Sequence, residues 1–245
     1  LRKGAIPINP FTGVGTFAEY TLVDQRNLVV IPEEMPLDRA ALIACGVTTG
    51  IGAVINTAKV EPGANVAVIG TGGVGLNVVQ GARLAGAARI IAIDVRDNKL
   101  ELARSFGATH GINASREDPV EVVRRLTGGY GADYAFEVIG HPKTILQAYE
   151  MVRKGGTAVV VGVAEETAEV TLSAASLMRT GKTLMGCNYG SVRPLVDFPK
   201  LVDLYMQGRI LLDELISRRF TLEEVNEAFA AMEAGQVARG VIIFD

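Results

Sequence analysis

The segment Val66–Gly75, with the sequence VAVIGTGGVG, decides the fold that we predict for this chain. A β-branched apolar run leads directly into a glycine-rich turn, and Leu76–Leu84 then has the periodicity of an amphipathic helix. A second apolar run, Arg89–Ile93, ends at Asp94. This order of strand, glycine turn, helix, strand and acid is typical of a dinucleotide-binding site.

The residue types in the turn have physical explanations. We expect Gly70 to form a tight turn, Gly72 to let the backbone approach a pyrophosphate, and Gly75 to let the helix pack on the strand. The free N–H groups of the helix N-terminus would then face the anion. A purely structural turn is the alternative, but the flanking strand, helix and acid favour nucleotide binding. The residues of the turn that we predict to bind the cofactor are Gly70, Thr71, Gly72, Gly73, Val74 and Gly75.

Asp94 also predicts which nicotinamide nucleotide is bound. Its carboxylate can accept hydrogen bonds from both ribose hydroxyls of an adenosine, whereas its charge would repel the 2′-phosphate of NADP. Arg96 is near enough in sequence to hold that phosphate, but we favour its interpretation as a solvated residue of the first helical turn. We therefore predict NAD as the cofactor.

From Asn65 onward, strand-like apolar runs alternate with helical periodicity. The predicted strands are 65–70, 89–95, 110–113, 132–139, 156–162 and 183–187. The predicted helices between them are 74–85, 97–106, 119–126, 143–152 and 173–179. Strands joined by crossover helices form a parallel sheet covered on both faces, so the fold class is α/β, a six-stranded doubly wound Rossmann arrangement.

The two flanks of the chain have a different pattern. We predict short strands at 17–23, 28–31 and 240–244, and helices at 35–43, 49–58, 194–207 and 222–234. Residues 47–188 would form the NAD-binding domain. Residues 1–46 and 189–245 would together form remnants of a mainly-β second domain.

Composition restricts the class of protein. The 245 residues carry a net charge of −3, so no basic field indicates nucleic acid or an anionic membrane. Apolar runs are short, and the first residues lack the apolar region of a signal peptide, so we expect neither a membrane span nor secretion. Two cysteines do not make a disulfide framework, which favours the cytoplasm.

The chain resembles the zinc-dependent medium-chain alcohol dehydrogenases over nearly its whole length. It is most similar to the branch of primary and aryl alcohol dehydrogenases that includes the glutathione-linked formaldehyde enzymes. The blocks that carry the resemblance are Gly15–Tyr20, Ala44–Gly50, Gly70–Gly75, Phe136–Gly140 and Val160–Val163. The resemblance implies NAD-dependent oxidation of an alcohol to an aldehyde, and the reverse, with zinc as a Lewis acid.

The resemblance assigns catalytic roles to two residues. Cys45 matches a catalytic zinc ligand, although free cysteine is often only a small buried hydrophobe. Thr49 matches a residue that packs on the nicotinamide ring, as does Val74.

The resemblance also extends the predicted cofactor site. Ile139 lies where the adenosine side of the cofactor passes, and Val161 and Tyr189 occupy positions whose backbone groups hold the carboxamide. Lys99 matches a residue near the adenosine ribose, and Arg239 matches one that reaches the pyrophosphate. A solvated lysine and a surface arginine are the alternatives for the last two.

The sequence has no match to the family's other catalytic-zinc ligands, to its proton relay or to its structural-zinc lobe. The first residue is Leu1, and we expect an N-terminally truncated form of such an enzyme. Convergence of His110, His141 and Cys187 on Cys45 is not expected. We predict that this chain alone binds NAD weakly and oxidises no alcohol, because a catalytic zinc needs three protein ligands.

Two other functions stay open at this point. A zinc-free quinone or enone reductase of the same superfamily would not need Cys45. A non-catalytic NAD-binding module would need a partner element, and no basic helix-turn-helix is visible. The resemblance further implies a homodimer or higher homo-oligomer paired through the edge strand Thr183–Asn188, acting on a small alcohol or aldehyde.

Overall fold

The computed structural model describes residues 2–3, 5–7, 14–235 and 237–244. Its strands in chain order are β1 (Arg2–Lys3), β2 (Ile6–Pro7), β3 (Asn65–Ile69), β4 (Arg89–Asp94), β5 (His110–Asn113), β6 (Ala132–Glu137), β7 (Val152–Val160), β8 (Thr183–Gly186), β9 (Ile216–Phe220) and β10 (Arg239–Ile242). Its α-helices are α1 (Leu37–Leu42), α2 (Thr48–Gly52), α3 (Gly73–Leu84), α4 (Asp97–Ser105), α5 (Pro119–Leu126), α6 (Pro142–Met151), α7 (Ala174–Thr180), α8 (Pro194–Met206) and α9 (Val225–Glu233).

Packing divides the chain into two compact units. The larger unit is 41–211, and the smaller unit combines 1–40 with 212–245. These limits differ from the predicted 47–188, because residues 41–46 and 189–211 pack with the larger unit. Each unit is described by itself below.

The larger unit contains the predicted doubly wound sheet. Its six strands are parallel and have the order β5-β4-β3-β6-β7-β8. The centre of the sheet is β3, whose Val66 lies between Ile90 of β4 and Tyr134 of β6. The predicted fold class is confirmed, and most predicted limits agree within two residues. The exception is β7, which begins at Val152 rather than at 156, because Val152 already pairs with Ala132.

The core of this unit lies against the sheet. Side chains of its central strands are fully buried with those of the crossover helices α5 and α6. Members include Ala67, Ile91 and Ile93 from the strands, with Val123 and Ala148 from the helices. Burial on both faces explains the nearly continuous apolar strands from which the fold was predicted.

One continuous helical stretch runs from Leu37 to Ala58, and it contains two π-helical segments, Ile43–Val47 and Ala53–Ala58. By length and composition alone it is apolar enough to cross a membrane. However, 56% of its apolar window is buried inside the protein, which is ordinary for a core helix.

The smaller unit has little regular structure among its described residues. β1 pairs antiparallel with β2, and β9 pairs parallel with β10. The predicted strands 17–23 and 28–31 are wrong, since these residues form loops around a 3₁₀ turn at Gln25–Asn27. A strand needs a neighbour for its backbone groups, and no described segment pairs with either one. β9 was not predicted, because its sequence ISRRF is largely polar.

Ion pairs join the two segments of the smaller unit. Arg39 contacts both Asp38 and Asp213, and Arg219 donates a hydrogen bond of 3.1 Å to Asp38. The Arg39 guanidinium lowers the pKa of Asp38, with a further contribution from Arg219. These bonds tie a residue near the start of α1 to the segment around β9.

Candidate functional site

The carboxyl ends of the parallel strands meet at one edge of the sheet, where ligands bind in folds of this class. The strand order reverses between β3 and β6, since the chain goes outward from β3 through β4 to β5 and then returns to β6. The loops after these two strands are in contact at this switch point. A Cβ added to Gly70 would lie 2.7 Å from Cγ1 of Ile139.

Three glycines shape the loop between β3 and α3 in different ways. Gly70 has a φ of +90°, which favours glycine, and its N–H donates a 2.8 Å hydrogen bond to the carbonyl of Ile93. A Cβ on Gly75 would lie 1.9 Å from the Gly70 carbonyl oxygen, so the helix contacts the turn directly. A Cβ on Gly72 would meet nothing within 4 Å. Gly70 and Gly75 are thus required by the fold, whereas Gly72 leaves open space.

That open space lies at the N-terminus of α3. Gly72 is the N-cap residue and offers no side chain to the first turn. The amides of that turn therefore have no side-chain cap, and they carry the positive end of the helix dipole. A pyrophosphate would fit this geometry, with the backbone amides of that turn as donors.

Asp94 ends β4 beside this loop. Its Oδ2 accepts hydrogen bonds from the N–H and the hydroxyl of Thr71, at 2.9 and 3.0 Å. Its Oδ1 accepts from the amides of Val95 and Arg96, at 2.8 and 3.2 Å. The carboxylate is half-buried and held at both oxygens. Lys99 is half-buried in the first turn of the following helix α4.

The residues matched to the nicotinamide side lie on α2, α3 and the nearby loops. Thr49 is half-buried in α2, and Val74 is half-buried in the first turn of α3. These helices are close together, because a Cβ on Gly50 would lie 2.5 Å from the Val74 carbonyl oxygen. Val161 follows β7, and its N–H donates to the Glu137 carbonyl at 2.8 Å.

Cys45 is exposed within the π-helical segment Ile43–Val47. Side-chain hydroxyls bind two backbone carbonyls of this segment. Thr48 donates to the carbonyl of Ile43, and Tyr189 donates to that of Ala44. Burial raises the pKa of Tyr189, and the electrostatic interaction with the nearby Cys45 raises it further.

Tyr189 is held in a left-handed turn. Tyr189, Gly190 and Ser191 all have positive φ, at +53°, +66° and +48°. Gly190 packs closely on α2, since a Cβ there would lie 2.3 Å from the Thr48 carbonyl oxygen. The sequence prediction gave Tyr189 only a backbone role, whereas the structure adds a side-chain bond beside Cys45.

Glu137 is a site residue to which the sequence analysis gave no role. It ends β6 and is fully buried. Its Oε1 accepts from the N–H groups of Ile139 and Gly140, both at 2.9 Å, and from the Thr144 hydroxyl at 2.8 Å. The carboxylate therefore fixes the loop that carries Ile139. The available signal was an acid inside the apolar run before Gly140.

The described residues do not form a metal centre. No group of three or more His, Cys, Asp or Glu side chains that could hold a metal occurs among them. The His141 Nδ1 accepts from the Lys143 N–H at the start of α6, and His110 begins β5. The buried Cys187 accepts a hydrogen bond from the Thr57 hydroxyl. Cys45 is the one predicted ligand, and the described residues supply no set to complete it.

Arg239 begins β10 and is half-buried in the smaller unit. Its predicted contact with the pyrophosphate stays a prediction.

Comparison with known proteins identifies the family of this chain. The family model described as zinc-binding dehydrogenase matches residues 73–207, which is more than half of the chain. The chain belongs to the zinc-binding dehydrogenase family. The matched range begins in the glycine loop and ends after α8, so it covers most of the doubly wound sheet and its helices.

Similar proteins include alcohol dehydrogenases and an S-(hydroxymethyl)glutathione dehydrogenase. S-(hydroxymethyl)glutathione dehydrogenase of Paracoccus denitrificans is 41% identical over 245 residues, covering 97% of this chain and 65% of that protein. Alcohol dehydrogenase class-3 of Cereibacter sphaeroides is 42% identical, with the same coverages. The benzyl alcohol dehydrogenase of Acinetobacter calcoaceticus is 33% identical with a TM-score of 0.92, covering 96% of this chain and 64% of that one. The chain thus spans slightly less than two thirds of these relatives.

Proposed function

We propose that this chain is the cofactor-binding part of an NAD-dependent alcohol dehydrogenase. The intact enzyme would oxidise a primary or aryl alcohol to an aldehyde and catalyse the reverse reaction. The observation that carries this proposal is the glycine loop with Asp94 at the switch point of the sheet. The names of the relatives support the reaction, and the notion of a primary or aryl substrate comes from the branch that the sequence resembles.

The chain's own residues suggest how NAD would be held. The pyrophosphate would bind the amides at the start of α3, in the open space beside Gly72, with Arg239 as a further contact. Asp94 would accept hydrogen bonds from the adenosine ribose, with Lys99 nearby. Ile139 would lie along the adenosine side of the cofactor.

The nicotinamide would lie on the side of the loop near α2. Thr49 and Val74 would contact its ring, and backbone groups of Val161 and Tyr189 would hold its carboxamide. The bound nicotinamide would supply the hydride acceptor, and the protein's contribution would be to orient it and exclude water.

Cys45 would supply one zinc ligand of the intact enzyme. Its exposed position in a π-helical segment suits that role, because such segments often occur at functional sites. The described residues do not complete the ligand set, so we expect the chain alone to oxidise no alcohol.

Calorimetry on the folded chain tests this proposal. We expect heat on titration with NAD, and binding of NADP at least tenfold weaker. Zinc and benzyl alcohol added to the NAD complex should give no absorbance of NADH. Absence of binding to either nucleotide, or tighter binding of NADP, would contradict the cofactor assignment. Zinc-dependent formation of NADH would contradict the incomplete metal site.

Two further parts of the proposal concern assembly and location. β8 pairs only with β7 among the described strands, and its Leu184 and Met185 are half-buried rather than covered. We propose that a second copy pairs with this edge, giving a homodimer, and that the enzyme is cytoplasmic. Sedimentation that shows a monomer at high concentration would contradict the dimer.

A further inference from the structure

The carboxylate of Asp94 is anchored on both sides. Its Oδ1 is held by two amides of its own turn, those of Val95 and Arg96. Its Oδ2 is held from across the loop by Thr71, through the N–H at 2.9 Å and the hydroxyl at 3.0 Å. Donors on both oxygens restrict rotation of the carboxylate about its Cβ–Cγ bond.

Thr71, one of the residues predicted from the sequence to bind the cofactor, is itself inaccessible to a ligand. Only 1% of the residue is exposed, whereas Asp94 is half-buried at the edge of the sheet. A nucleotide would therefore meet the Asp94 carboxylate and not the threonine hydroxyl. The bond that connects that hydroxyl to the ribose site is the one to Asp94.

We propose that Thr71 is a positioning residue. Its hydroxyl orients the Asp94 carboxylate and so makes it selective for an unmodified ribose. This inference rests on the proposed function, because it assumes that Asp94 binds the adenosine ribose. Because these donors already fix its orientation, the carboxylate meets the 2′- and 3′-hydroxyls without first losing rotational freedom. The same rigidity prevents the carboxylate charge from turning away from a 2′-phosphate. It therefore weakens the binding of NADP and strengthens the binding of NAD.

Two substitutions at Thr71 separate the hydroxyl from the shape of the side chain. Thr71→Val keeps the branched shape and removes the hydroxyl, whereas Thr71→Ser keeps the hydroxyl and removes the methyl group. The backbone N–H bond to Asp94 is available in both variants. Thr71→Ala replaces Thr71→Val if the valine variant does not fold.

The experiment measures dissociation constants of three ligands by calorimetry: NAD, NADP, and an NAD analogue that lacks the 2′-hydroxyl on the adenosine ribose. We expect Thr71→Val to bind NAD about fivefold more weakly, the size of one lost hydrogen bond to a positioned group. Its affinity for NADP should change by less than about twofold, so that selectivity falls. Thr71→Ser should bind NAD with the same dissociation constant as the wild-type chain.

The analogue decides whether the effect passes through the ribose. If Thr71 acts by orienting Asp94 toward the 2′-hydroxyl, the Val substitution weakens the analogue much less than it weakens NAD, because the two changes are coupled. If the affinities for NAD and for the analogue fall equally, Thr71 has a structural role only. If the affinity for NAD does not fall, Thr71 has no positioning role. Either result overturns this inference while leaving the proposed function intact. Absence of NAD binding by the unchanged chain instead overturns the proposed function, and this inference with it.

Discussion

The two units differ in whether the strands predicted from the sequence find a neighbouring strand to pair with. Every strand from β3 to β8 pairs within 41–211, and the apolar pattern of each one predicted it. The predicted strands 17–23 and 28–31 have equally suitable residues but pair with no described segment. Tyr20, Leu22 and Val30 are 89, 96 and 92% exposed there. A local pattern thus gives a strand only where a neighbouring strand is available.

The glycine loop should give the largest effect. Gly75→Ala places a Cβ 1.9 Å from the Gly70 carbonyl oxygen, a backbone atom that cannot move without the turn. We expect a loss of about 3 kcal/mol or more in the free energy of unfolding, together with loss of NAD binding. Urea denaturation and calorimetry check both effects.

Gly72→Ala is the matched control in the same loop. Its Cβ meets nothing within 4 Å, so stability should change by less than about 0.5 kcal/mol. NAD binding should still fall at least tenfold, because the methyl group occupies space meant for the pyrophosphate. Unchanged NAD affinity in this variant would place the pyrophosphate elsewhere, and an unaltered stability of Gly75→Ala would contradict the packing of the loop.

The ion pairs of the smaller unit join its two chain segments. Asp38→Asn weakens the contacts with both Arg39 and Arg219. Since these groups are partly exposed and screened, we expect about 1 kcal/mol of local destabilisation. Hydrogen exchange should accelerate around 37–40 and 213–220.

Asp24→Asn is the control for that experiment. Asp24 pairs with Arg26 only two residues away, on an exposed turn of the same unit, so its loss should leave exchange at 213–220 unchanged. Equal acceleration in both variants would indicate a general charge effect rather than the specific ion pairs.

Asp133 makes the stability of the larger unit depend on pH. Burial alone would raise its pKa, but the Asn65 amide and the Arg153 guanidinium outweigh burial and lower it. The stabilisation is therefore complete above the unfolded pKa of about 3.9 and is lost as pH falls through the lower folded value. We expect Asp133→Asn to be about 1 kcal/mol less stable at pH 7, after allowance for screening, with a smaller difference at lower pH.

Denaturant titrations across that range measure the difference. Glu121→Gln serves as the control, since its pairing with Arg124 is exposed and joins no strands. A difference between Asp133→Asn and the unchanged chain that is constant down to pH 2 would show that the charge of Asp133 does not contribute.

The smallest expected effect lies in the core. The hydroxyl of Tyr149 is buried with no hydrogen-bond partner among the described residues. Tyr149→Phe removes this unsatisfied group, so the free energy of unfolding should stay the same or rise by up to about 1 kcal/mol. Tyr130→Phe, at a residue 81% exposed, should have no effect. A clear loss of stability in Tyr149→Phe would indicate a partner such as a buried water.

The site could be predicted only in part. The glycines and Asp94 could be predicted because a nucleotide-binding loop uses these residue types at this spacing, and their contacts with NAD stay a prediction. Glu137 received no role, since its carboxylate binds amides of Ile139 and Gly140 that only the folded loop brings to it. The side-chain bond from Tyr189 to Ala44 joins positions 145 residues apart, and no local pattern contains it.

The sequence by itself determined the parallel sheet, the glycine loop and the acid after the second core strand. The physical reason is that each depends on local periodicity or on a glycine's backbone freedom. Only the tertiary structure decided which predicted strands in the flanks exist and how Thr71 holds Asp94. Those depend on partners distant in sequence, whose hydrogen bonds and burial appear only when the chain is folded.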